Sequence, residues 1–209
     1  MADWPAAVVL AGITKSFDGF SVLRGLDLSI APGSVTALLG PSGCGKTTAL
    51  RIVAGLEDAD AGTVEIGGVV AAGPGVNVPT EQRRVGMIFQ NGALFPHLSV
   101  AHNVGYGLAR ADRKDGPRIS EMLELVGLAG FGDRRPDSLS GGQAQRVALA
   151  RALAPAPAVV LMDEPFSNLD AVLRARLRRE VGGVVRAAGV TGLVVTHGRD
   201  EAFAVAERV

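Results

Sequence analysis

The fold of this chain is decided by one stretch, Gly40-Pro41-Ser42-Gly43-Cys44-Gly45-Lys46-Thr47-Thr48, which matches the pattern G-x-x-x-x-G-K-[ST]. The apolar run 34–39 before it predicts a short β-strand, and the run 47–56 after it predicts a helix. Gly43 and Gly45 let the backbone adopt positive φ, so that successive N–H groups point inward at phosphate oxygens. The sequence therefore predicts a phosphate-binding loop between a strand and a helix.

Three residues of this loop have distinct expected roles. Lys46 can reach the β- and γ-phosphates of a nucleotide, and the Thr47 hydroxyl can coordinate Mg²⁺. The helix that begins near Thr47 adds the positive end of its dipole. Cys44 is expected to be a bystander, because the loop presents its backbone to the ligand. By itself the loop leaves kinases, GTPases, motors and transporters open.

Two adjacent carboxylates follow a second apolar strand, in the run Val159-Val-Leu-Met-Asp163-Glu164. A parallel strand that ends there places Asp163 at the carboxyl edge of the sheet, where α/β proteins bind their ligands. Asp163 is expected to hold Mg²⁺, usually through water, beside Thr47, and Glu164 to orient and deprotonate an attacking water. An Asp-Glu pair after a strand is more often a solvated loop, but the phosphate loop upstream and Pro165 favour the catalytic interpretation.

Strands and helices alternate on both sides of a helical stretch. The predicted strands are Val8–Phe17, 22–30, 34–39, a hairpin over 62–70, 84–89, 159–162 and 193–196; helices are predicted over 47–56, within 99–154, and over 171–188 and 200–208, with a loop at 73–79. This order predicts an α/β fold: a core with a mostly parallel sheet, an N-terminal antiparallel β-subdomain, and an α-helical subdomain inserted at about 95–155. We expect a single domain over residues 1–209.

Composition excludes several classes of protein. The 209 residues carry a formal net charge of +0, which argues against a chain that holds nucleic acid by bulk charge. The single cysteine rules out an intrachain disulfide and fits a reducing compartment. The N-terminus shows no secretory pattern, and the longest apolar runs fall well short of the roughly 20 residues that span a bilayer. Any work at a membrane would therefore depend on partners.

A second anion site is predicted at Leu139-Ser140-Gly141-Gly142-Gln143, which precedes a helical run. Ser140 can cap a helix whose first N–H groups belong to two glycines, and such a helix start attracts phosphate. The chain thus has two phosphate-binding devices, roughly a hundred residues apart in sequence.

These five residues resemble the signature motif of the ABC ATPases, and the resemblance covers the chain from Val8 to Val209. It implies ATP and Mg²⁺ as ligands, and a homodimer in which the signature of one copy (Ser140, Gly141, Gly142, Gln143) grips the γ-phosphate held by the phosphate loop of the other. It also implies that Gln90 contacts Mg²⁺ or the water, that Asp170 crosses the dimer interface, and that His197 contacts the γ-phosphate. Phe17 is similar to the family's adenine-stacking aromatic, although an ordinary core phenylalanine is the rival interpretation.

The transporter branch of the family fits better than its alternatives. ABC ATPases of DNA repair carry a long coiled coil between the two motifs, those of translation carry two such domains in one chain, and a P-loop kinase would lack residues 139–143. Residues 86–100 resemble importer ATPases for ferric iron, polyamines, sulfate and sugars. The resemblance implies a peripheral ATPase on the cytoplasmic face of the membrane that drives a separate permease, with a solute-binding protein as an indirect partner.

In those importers the stretch after the glutamine receives a short helix of the permease, so Leu94, Phe95 and Leu98 are predicted to form an apolar socket; the alternative is that they are ordinary core residues. The run 163–170 is most similar to ferric-iron importers, so ferric iron is the leading cargo, with thiamine, sulfate, polyamines and sugars behind it.

Two features depart from the family pattern. Gly198 follows His197, where such importers more often have an acidic residue, and a glycine there is expected to loosen the histidine. The chain also stops at Val209, before the final strand and helix of the family and any regulatory β-domain. A fragment and a shortened protein are both compatible with this ending.

Overall fold

The computed structural model describes residues 7–90, 93–113, 116–167 and 171–209. The strands are β1 (Val8–Phe17), β2 (Phe20–Ile30), β3 (Val35–Leu39), β4 (Ala61–Ile66), β5 (Val69–Gly73), β6 (Val76–Asn77), β7 (Val85–Ile88), β8 (Val159–Asp163) and β9 (Thr191–Thr196). The helices are α1 (Lys46–Ala54), α2 (Val100–Val104), α3 (Pro117–Leu125), α4 (Gly141–Leu153), α5 (Ala171–Ala187) and α6 (Arg199–Val205). No helix of the described part is long and apolar enough to cross a membrane.

The strands form two sheets of different kinds. One is antiparallel, with the strand order β2-β1-β4-β5-β6, and the other has the order β3-β9-β8-β7 with every neighbouring pair parallel. Helices α2, α3 and α4 come between β7 and β8 in the chain. The predicted fold class is therefore confirmed: an α/β core, an N-terminal antiparallel sheet, and a helical insertion.

Two hydrophobic clusters cover the two faces of the parallel sheet. One joins α1 to the antiparallel sheet and to alternate residues of β8 and β9, among them Val159 and Leu161. The other joins the remaining residues of those strands, such as Val160 and Met162, to α2 through α5. Because β8 is buried along its whole length, its uninterrupted apolar run is typical of a parallel strand covered on both faces.

Helix α1 ends at Gly55, a position that needs glycine for two physical reasons. Gly55 has φ of 78°, in the left-handed region that favours glycine, and a Cβ there would lie 2.6 Å from Nε of Arg83. Arg83 is buried and donates hydrogen bonds to the carbonyls of Ile52 and Val53, at 2.8 and 3.2 Å. Burial lowers the pKa of Arg83 from its ordinary value, and these last-turn carbonyls compensate the buried charge.

Three predicted elements differ in detail. The loop predicted at 73–79 contains the short strand β6, which pairs with β5. The helical stretch 99–154 is divided into α2, α3 and α4, with 3-10 turns between them. The helix predicted over 200–208 ends at Val205, after which the Glu207 N–H donates to Val35 O and the Ala37 N–H to Arg208 O. Glu207 and Arg208, which helix periodicity assigns to α6, instead form backbone hydrogen bonds with the open edge of β3.

Candidate functional site

The carboxyl ends of the four parallel strands meet at one edge of the sheet. This register carries Gly40, His197, the Asp163-Glu164 pair and Gln90 to the same edge, because each of them ends one of these strands or follows it within two residues. The pairs that fix it are Leu39 with Thr196, Asp163 with Val195, and Ile88 with Met162. The structure therefore brings the predicted residues of four distant segments to a common edge.

The phosphate loop needs glycine at Gly45 for its backbone and for its packing. Gly45 has φ of 96°, and a Cβ there would lie 2.7 Å from Cδ2 of Leu23 and 3.0 Å from Cγ1 of Val22. The loop is therefore pressed against β2, which fixes the start of α1. A side chain at Gly45 would push the loop away from the sheet that supports it.

Lys46 lies inside the curve of the loop. Its ammonium donates hydrogen bonds to the carbonyl oxygens of Gly40 and Pro41, both at 2.8 Å, and the residue is buried. Cys44 is exposed, with its sulfur 3.9 Å from the Lys46 ammonium. A buried ammonium held only by neutral carbonyls is available to an anion, because a phosphate oxygen is a stronger acceptor than either carbonyl.

The pair of Thr47 and Asp163 fits a magnesium ion. The Thr47 hydroxyl donates to the Asp163 carboxylate with 2.9 Å between the oxygens. A hydroxyl and a carboxylate beside the phosphate loop are oxygen ligands of the kind that magnesium takes, so Thr47 would bind the ion directly and Asp163 would hold it through a water. The described residues include no cluster of three or more His, Cys, Asp or Glu that could hold a metal. A site with few protein ligands, completed by phosphate and water, is the kind that magnesium prefers.

Glu164 has an unusual backbone. Its φ is 42°, a conformation that costs a non-glycine residue about 1–3 kcal/mol and persists only where surrounding contacts offset that cost. Its N–H donates to Val195 O at 3.0 Å, and its carbonyl accepts hydrogen bonds from the N–H and hydroxyl of Ser167 at 3.2 and 3.1 Å. Such strain concentrates at functional sites, and here it turns Glu164 out of the line of β8.

The Glu164 carboxylate faces His197. The Oε1 atom of Glu164 lies 3.4 Å from Nδ1 of His197, and the two side chains are 21% and 57% exposed. A carboxylate beside an imidazole at a solvent-open edge can receive a proton from a water molecule. Gly198 is less free than the sequence suggests, since it caps α6 with φ of −98° and its N–H donates to the Thr196 hydroxyl at 3.1 Å.

One cavity of about 330 Å³ joins the phosphate loop to Phe17 and Glu164. Phe17 is 42% exposed, and the Lys15 ammonium lies 4.9 Å from its ring centroid. The cavity is lined by Phe17, Val22, Ser42, Gly43, Gly45, Lys46, Thr47, Thr48 and Glu164. Val22 was not predicted as a site residue, because from sequence it reads as an ordinary apolar strand position. Only its approach to Gly45 reveals that it lines the cavity.

The signature segment forms a reciprocal cap on α4. The Ser140 hydroxyl accepts from the Gln143 N–H at 3.3 Å, and the Gln143 side-chain oxygen accepts from the Ser140 N–H at 2.9 Å. This capping box occupies both of those N–H groups and leaves the N–H groups of Gly141 and Gly142 without intrahelical acceptors. The helix start thus presents two glycine donors to an anion.

The two predicted phosphate sites are separate within one chain. The described residues that line the cavity of the phosphate loop include none of Ser140–Gln143. Gln90 is exposed just beyond β7. Asp170 lies outside the described residues, as does Asn168 of the same run.

The predicted apolar socket is partly core and partly surface. Leu94 packs on the hydrophobic cluster of the helical region, whereas the Phe95 ring stacks on Tyr106 with 4.3 Å between centroids. Tyr106 is 51% exposed and was not predicted, since nothing in the sequence around it marks it as a surface partner of Phe95.

Comparison with known proteins gives the class of this protein. The ABC transporter family model matches residues 23–167. The chain belongs to the ABC transporter family, as the motifs predicted.

Two curated relatives are similar to this chain over nearly its whole length. The chain is 54% identical over 204 residues to "Fe(3+) ions import ATP-binding protein FbpC 2" of Rhodococcus jostii (strain RHA1), covering 97% of this chain and 58% of that protein. It is 48% identical over 201 residues to the FbpC protein of Mesorhizobium japonicum, covering 96% of this chain and 56% of that protein. The chain thus spans less than two thirds of the length of these curated relatives.

Two solved structures share the fold. One is the dimeric post-hydrolysis state of the ATP-binding cassette MJ0796 bound to ADP and Pi, with a TM-score of 0.77, 31% identity, and coverage of 95% of this chain and 91% of that one. The other is cbiO1 from Clostridium perfringens, part of the transporter complex cbiONQ, with a TM-score of 0.85, 25% identity, and coverage of 98% and 83%.

Proposed function

We propose that this chain binds and hydrolyses ATP with Mg²⁺ and thereby powers solute uptake through a separate membrane permease. The observation that carries this proposal is the single cavity in which Phe17, Lys46, Thr47 and Glu164 meet, with the Asp163 carboxylate 2.9 Å from the Thr47 hydroxyl. These groups match the needs of a nucleotide from its base to its γ-phosphate. The 54% identity to an iron-import ATP-binding protein supports the same function.

Each residue has a defined part in the reaction. The loop N–H groups and Lys46 bind the phosphates, and Thr47, Asp163 and Gln90 would hold magnesium, which neutralises phosphate charge when bound. Glu164 orients a water and accepts its proton as the water oxygen attacks the γ-phosphorus. The bond from that phosphorus to the β–γ bridging oxygen breaks, giving ADP and phosphate. His197 donates a hydrogen bond to the γ-phosphate and keeps it in line with the water.

The second phosphate site supports a homodimer. Ser140, Gly141, Gly142 and Gln143 do not line the phosphate-loop cavity of their own chain, which supports a role for their glycine N–H groups toward the nucleotide of another copy. In a two-fold dimer each signature would cover the phosphate loop of the partner, and two ATP molecules would be buried between the copies. Asp170 would cross the same interface.

Phe17 offers the proposed stacking surface for adenine. The Lys15 ammonium approaches one face of the ring, so we expect adenine to stack on the other. Phe17→Ala should weaken ATP binding by about 1–3 kcal/mol, roughly 5- to 150-fold in Kd. Phe20→Ala is the matched control, because Phe20 pairs with Phe17 across the hairpin, is 78% exposed and does not line the cavity. Equal ATP affinity of the two variants in a fluorescent-ATP titration would contradict the stacking role.

Ser140→Arg should separate ATP binding from dimer formation. The bulky cation would fill the anion site at the start of α4, while the phosphate loop of the same chain is untouched. We expect the Kd for ATP of the isolated chain to stay within about twofold of wild type, and ATP-dependent dimer in gel filtration to disappear. Ser138→Arg, an exposed position just before the motif, is the control. A dimer that persists in Ser140→Arg would remove the signature from the interface.

The proposed importer function implies partners at the membrane. The loop over residues 93–98 would receive a short helix of the permease, with the Phe95–Tyr106 pair as its aromatic part. The chain would thus be peripheral, on the cytoplasmic face of the membrane, and would meet a solute-binding protein only through the permease. The transported solute would not touch this chain.

Ferric iron is the proposed cargo, and the iron-import names of its curated relatives support it. The test is reconstitution of this chain with the permease encoded beside it, followed by addition of solute-binding proteins loaded with ferric iron, thiamine, sulfate, a polyamine or a sugar. We expect only the ferric-loaded protein to raise ATPase activity. If another loaded protein raises it and the ferric one does not, the iron assignment is wrong and the importer assignment stands.

A further inference from the structure

Two arginines attach the loop over residues 93–99 to the signature region. Arg151, on α4, donates from Nη1 to Ala93 O at 2.7 Å. Arg135, in the segment that leads into the signature, donates from Nη1 to His97 O at 3.0 Å and from Nη2 to Pro96 O at 3.1 Å. The loop is thus held by one arginine just before the signature and by another near the C-terminal end of α4.

A buried asparagine makes the same loop rigid. Asn103, on α2, has no exposed surface, and its side-chain oxygen accepts from the Phe95 N–H at 2.8 Å. Its amide group donates to the carbonyls of Phe95, Leu98 and Ser99 at 3.1, 3.3 and 3.0 Å. A buried polar side chain with its capacity satisfied by one loop fixes the shape of that loop. Movement of the loop therefore moves the residues attached to it.

The guanidinium of Arg151 is partly buried where it contacts the 93–99 loop. Partial burial lowers the pKa of its guanidinium from the ordinary value, because the charged group is partly removed from water. The guanidinium lies 5.3 Å from the centroid of Phe95, whose ring also stacks on Tyr106. The hydrogen bond to Ala93 and the contact with the Phe95 ring compensate the partly desolvated charge and hold the guanidinium against the loop.

Helix α4 can carry a displacement from one of its ends to the other. Arg151 and Ser140 lie eleven positions apart on this helix, roughly 16 Å at 1.5 Å per residue. The capping box locks the first turn, and the helix is buried against the core along most of its length. Helix α4 is therefore a rigid element that joins Arg151, near its C-terminal end, to the second phosphate site at its N-terminal end.

We propose that Arg135 and Arg151 are positioning residues that couple the 93–99 loop to the signature, so that a displacement of the loop by the permease moves Ser140 relative to the nucleotide of the partner copy. This inference rests on the proposed partnership with a permease. The movement of the loop would be transmitted through the hydrogen bonds of Arg135 and Arg151, and neither arginine is among the residues proposed to bind ATP.

The chain offers matched controls for both arginines. Arg134 is the neighbour of Arg135, and its guanidinium lies 4.0 Å from the Phe131 ring. Arg118 also binds the α4 end, donating to the carbonyls of Leu153 and Ala154 at 3.1 and 3.0 Å. In the described part of the chain neither of these arginine side chains donates a hydrogen bond to the 93–99 loop, so an alanine at either position removes a comparable contact and leaves the loop attached.

The experiment compares Arg151→Ala and Arg135→Ala with Arg118→Ala and Arg134→Ala. Each is measured alone and in vesicles with the permease encoded beside this chain and the loaded binding protein that stimulates wild type. We expect the first pair to keep basal ATPase activity within about twofold and to co-purify with the permease in wild-type amounts, while stimulation falls about tenfold. The control pair should keep full stimulation. Arg151→Lys, which retains charge and one donor, should restore part of it.

Hydrogen exchange of the isolated chain tests the contact without a permease. Peptides over 93–99 should exchange faster in Arg151→Ala and Arg135→Ala than in the controls. Unchanged exchange, full stimulation, or loss of permease binding in the first pair would each overturn the proposal. If wild type itself responds to no permease, the proposed importer function fails, and the coupling role with it. Should Arg151→Ala not fold, the exposed Arg135→Ala alone decides the matter.

Discussion

Glu164→Gln should abolish turnover while sparing ATP binding. The amide keeps the size of the side chain but cannot accept the proton of the attacking water, so we expect kcat to fall by about 10²- to 10⁴-fold, roughly 3–5 kcal/mol on the barrier. The backbone at this position, with φ of 42°, is held by Val195 and Ser167, and the substitution leaves those contacts in place. Phosphate release at saturating ATP measures the loss, and a fluorescent-ATP titration measures the retained affinity.

A matched control separates this effect from a general charge effect. Glu121→Gln removes a carboxylate from the surface of α3, where it pairs with Arg118 at 2.9 Å. Exposed pairs of this kind contribute about 0–1 kcal/mol to stability, so activity should match wild type. A hydrolysis rate of Glu164→Gln within about threefold of wild type would remove Glu164 from its role as the base.

Lys46→Ala should fail one step earlier than Glu164→Gln, at binding. The ammonium interacts with the phosphates in the ground state and in the transition state alike, so its loss raises Kd as well as lowering kcat. A hydrogen bond from a charged donor contributes about 1.5–3 kcal/mol, which predicts a rise in Kd of roughly 10- to 150-fold. The same titration used for Glu164→Gln measures it.

The alanine variant also leaves the carbonyls of Gly40 and Pro41 without their donor, which could disturb the loop for a different reason. Lys46→Met keeps most of the length of the side chain but also removes both the charge and the N–H donors, so in each variant the unfolding temperature shows whether the loop is disturbed. Both variants should lose affinity to a similar extent and unfold at a temperature within a few degrees of wild type. Wild-type affinity in Lys46→Met would contradict the assignment of the phosphate loop.

The sequence predicts local geometry well where a motif dictates the conformation of the backbone. The glycines of the phosphate loop, the strand that ends at Asp163, and the cap at Ser140 all depend on local chemistry, so they are visible in a short window. The parallel register then follows, because strands with crossover connections carry their carboxyl ends to one edge. This is why the sequence alone predicts that Thr47 and Asp163, 116 positions apart, lie side by side.

Features that no sequence motif indicates could not be predicted. The positive φ of Glu164 arises from hydrogen bonds to Val195 and Ser167, and nothing in a Glu-Pro dipeptide announces it. The contact of Arg151 with Ala93 spans 58 positions. From sequence, Arg151 is one more exposed helical arginine.

The end of α6 shows a third limit. Periodicity within residues 200–208 favours a helix, but the free edge of β3 competes for the backbone of Glu207 and Arg208. A sheet edge is a property of the assembled fold, so a local pattern cannot weigh it.

Sedimentation velocity of Glu164→Gln tests most directly the central claim that ATP is bound between the phosphate loop of one copy and the signature of the other. The variant retains ATP and loses one negative charge near the γ-phosphate, so with ATP and Mg²⁺ it should sediment as a dimer, and without ATP as a monomer. Adding Ser140→Arg to the same chain should return it to a monomer that still binds ATP. If Glu164→Gln binds ATP and remains a monomer at every protein concentration, or if the double variant still dimerises, the shared site is contradicted.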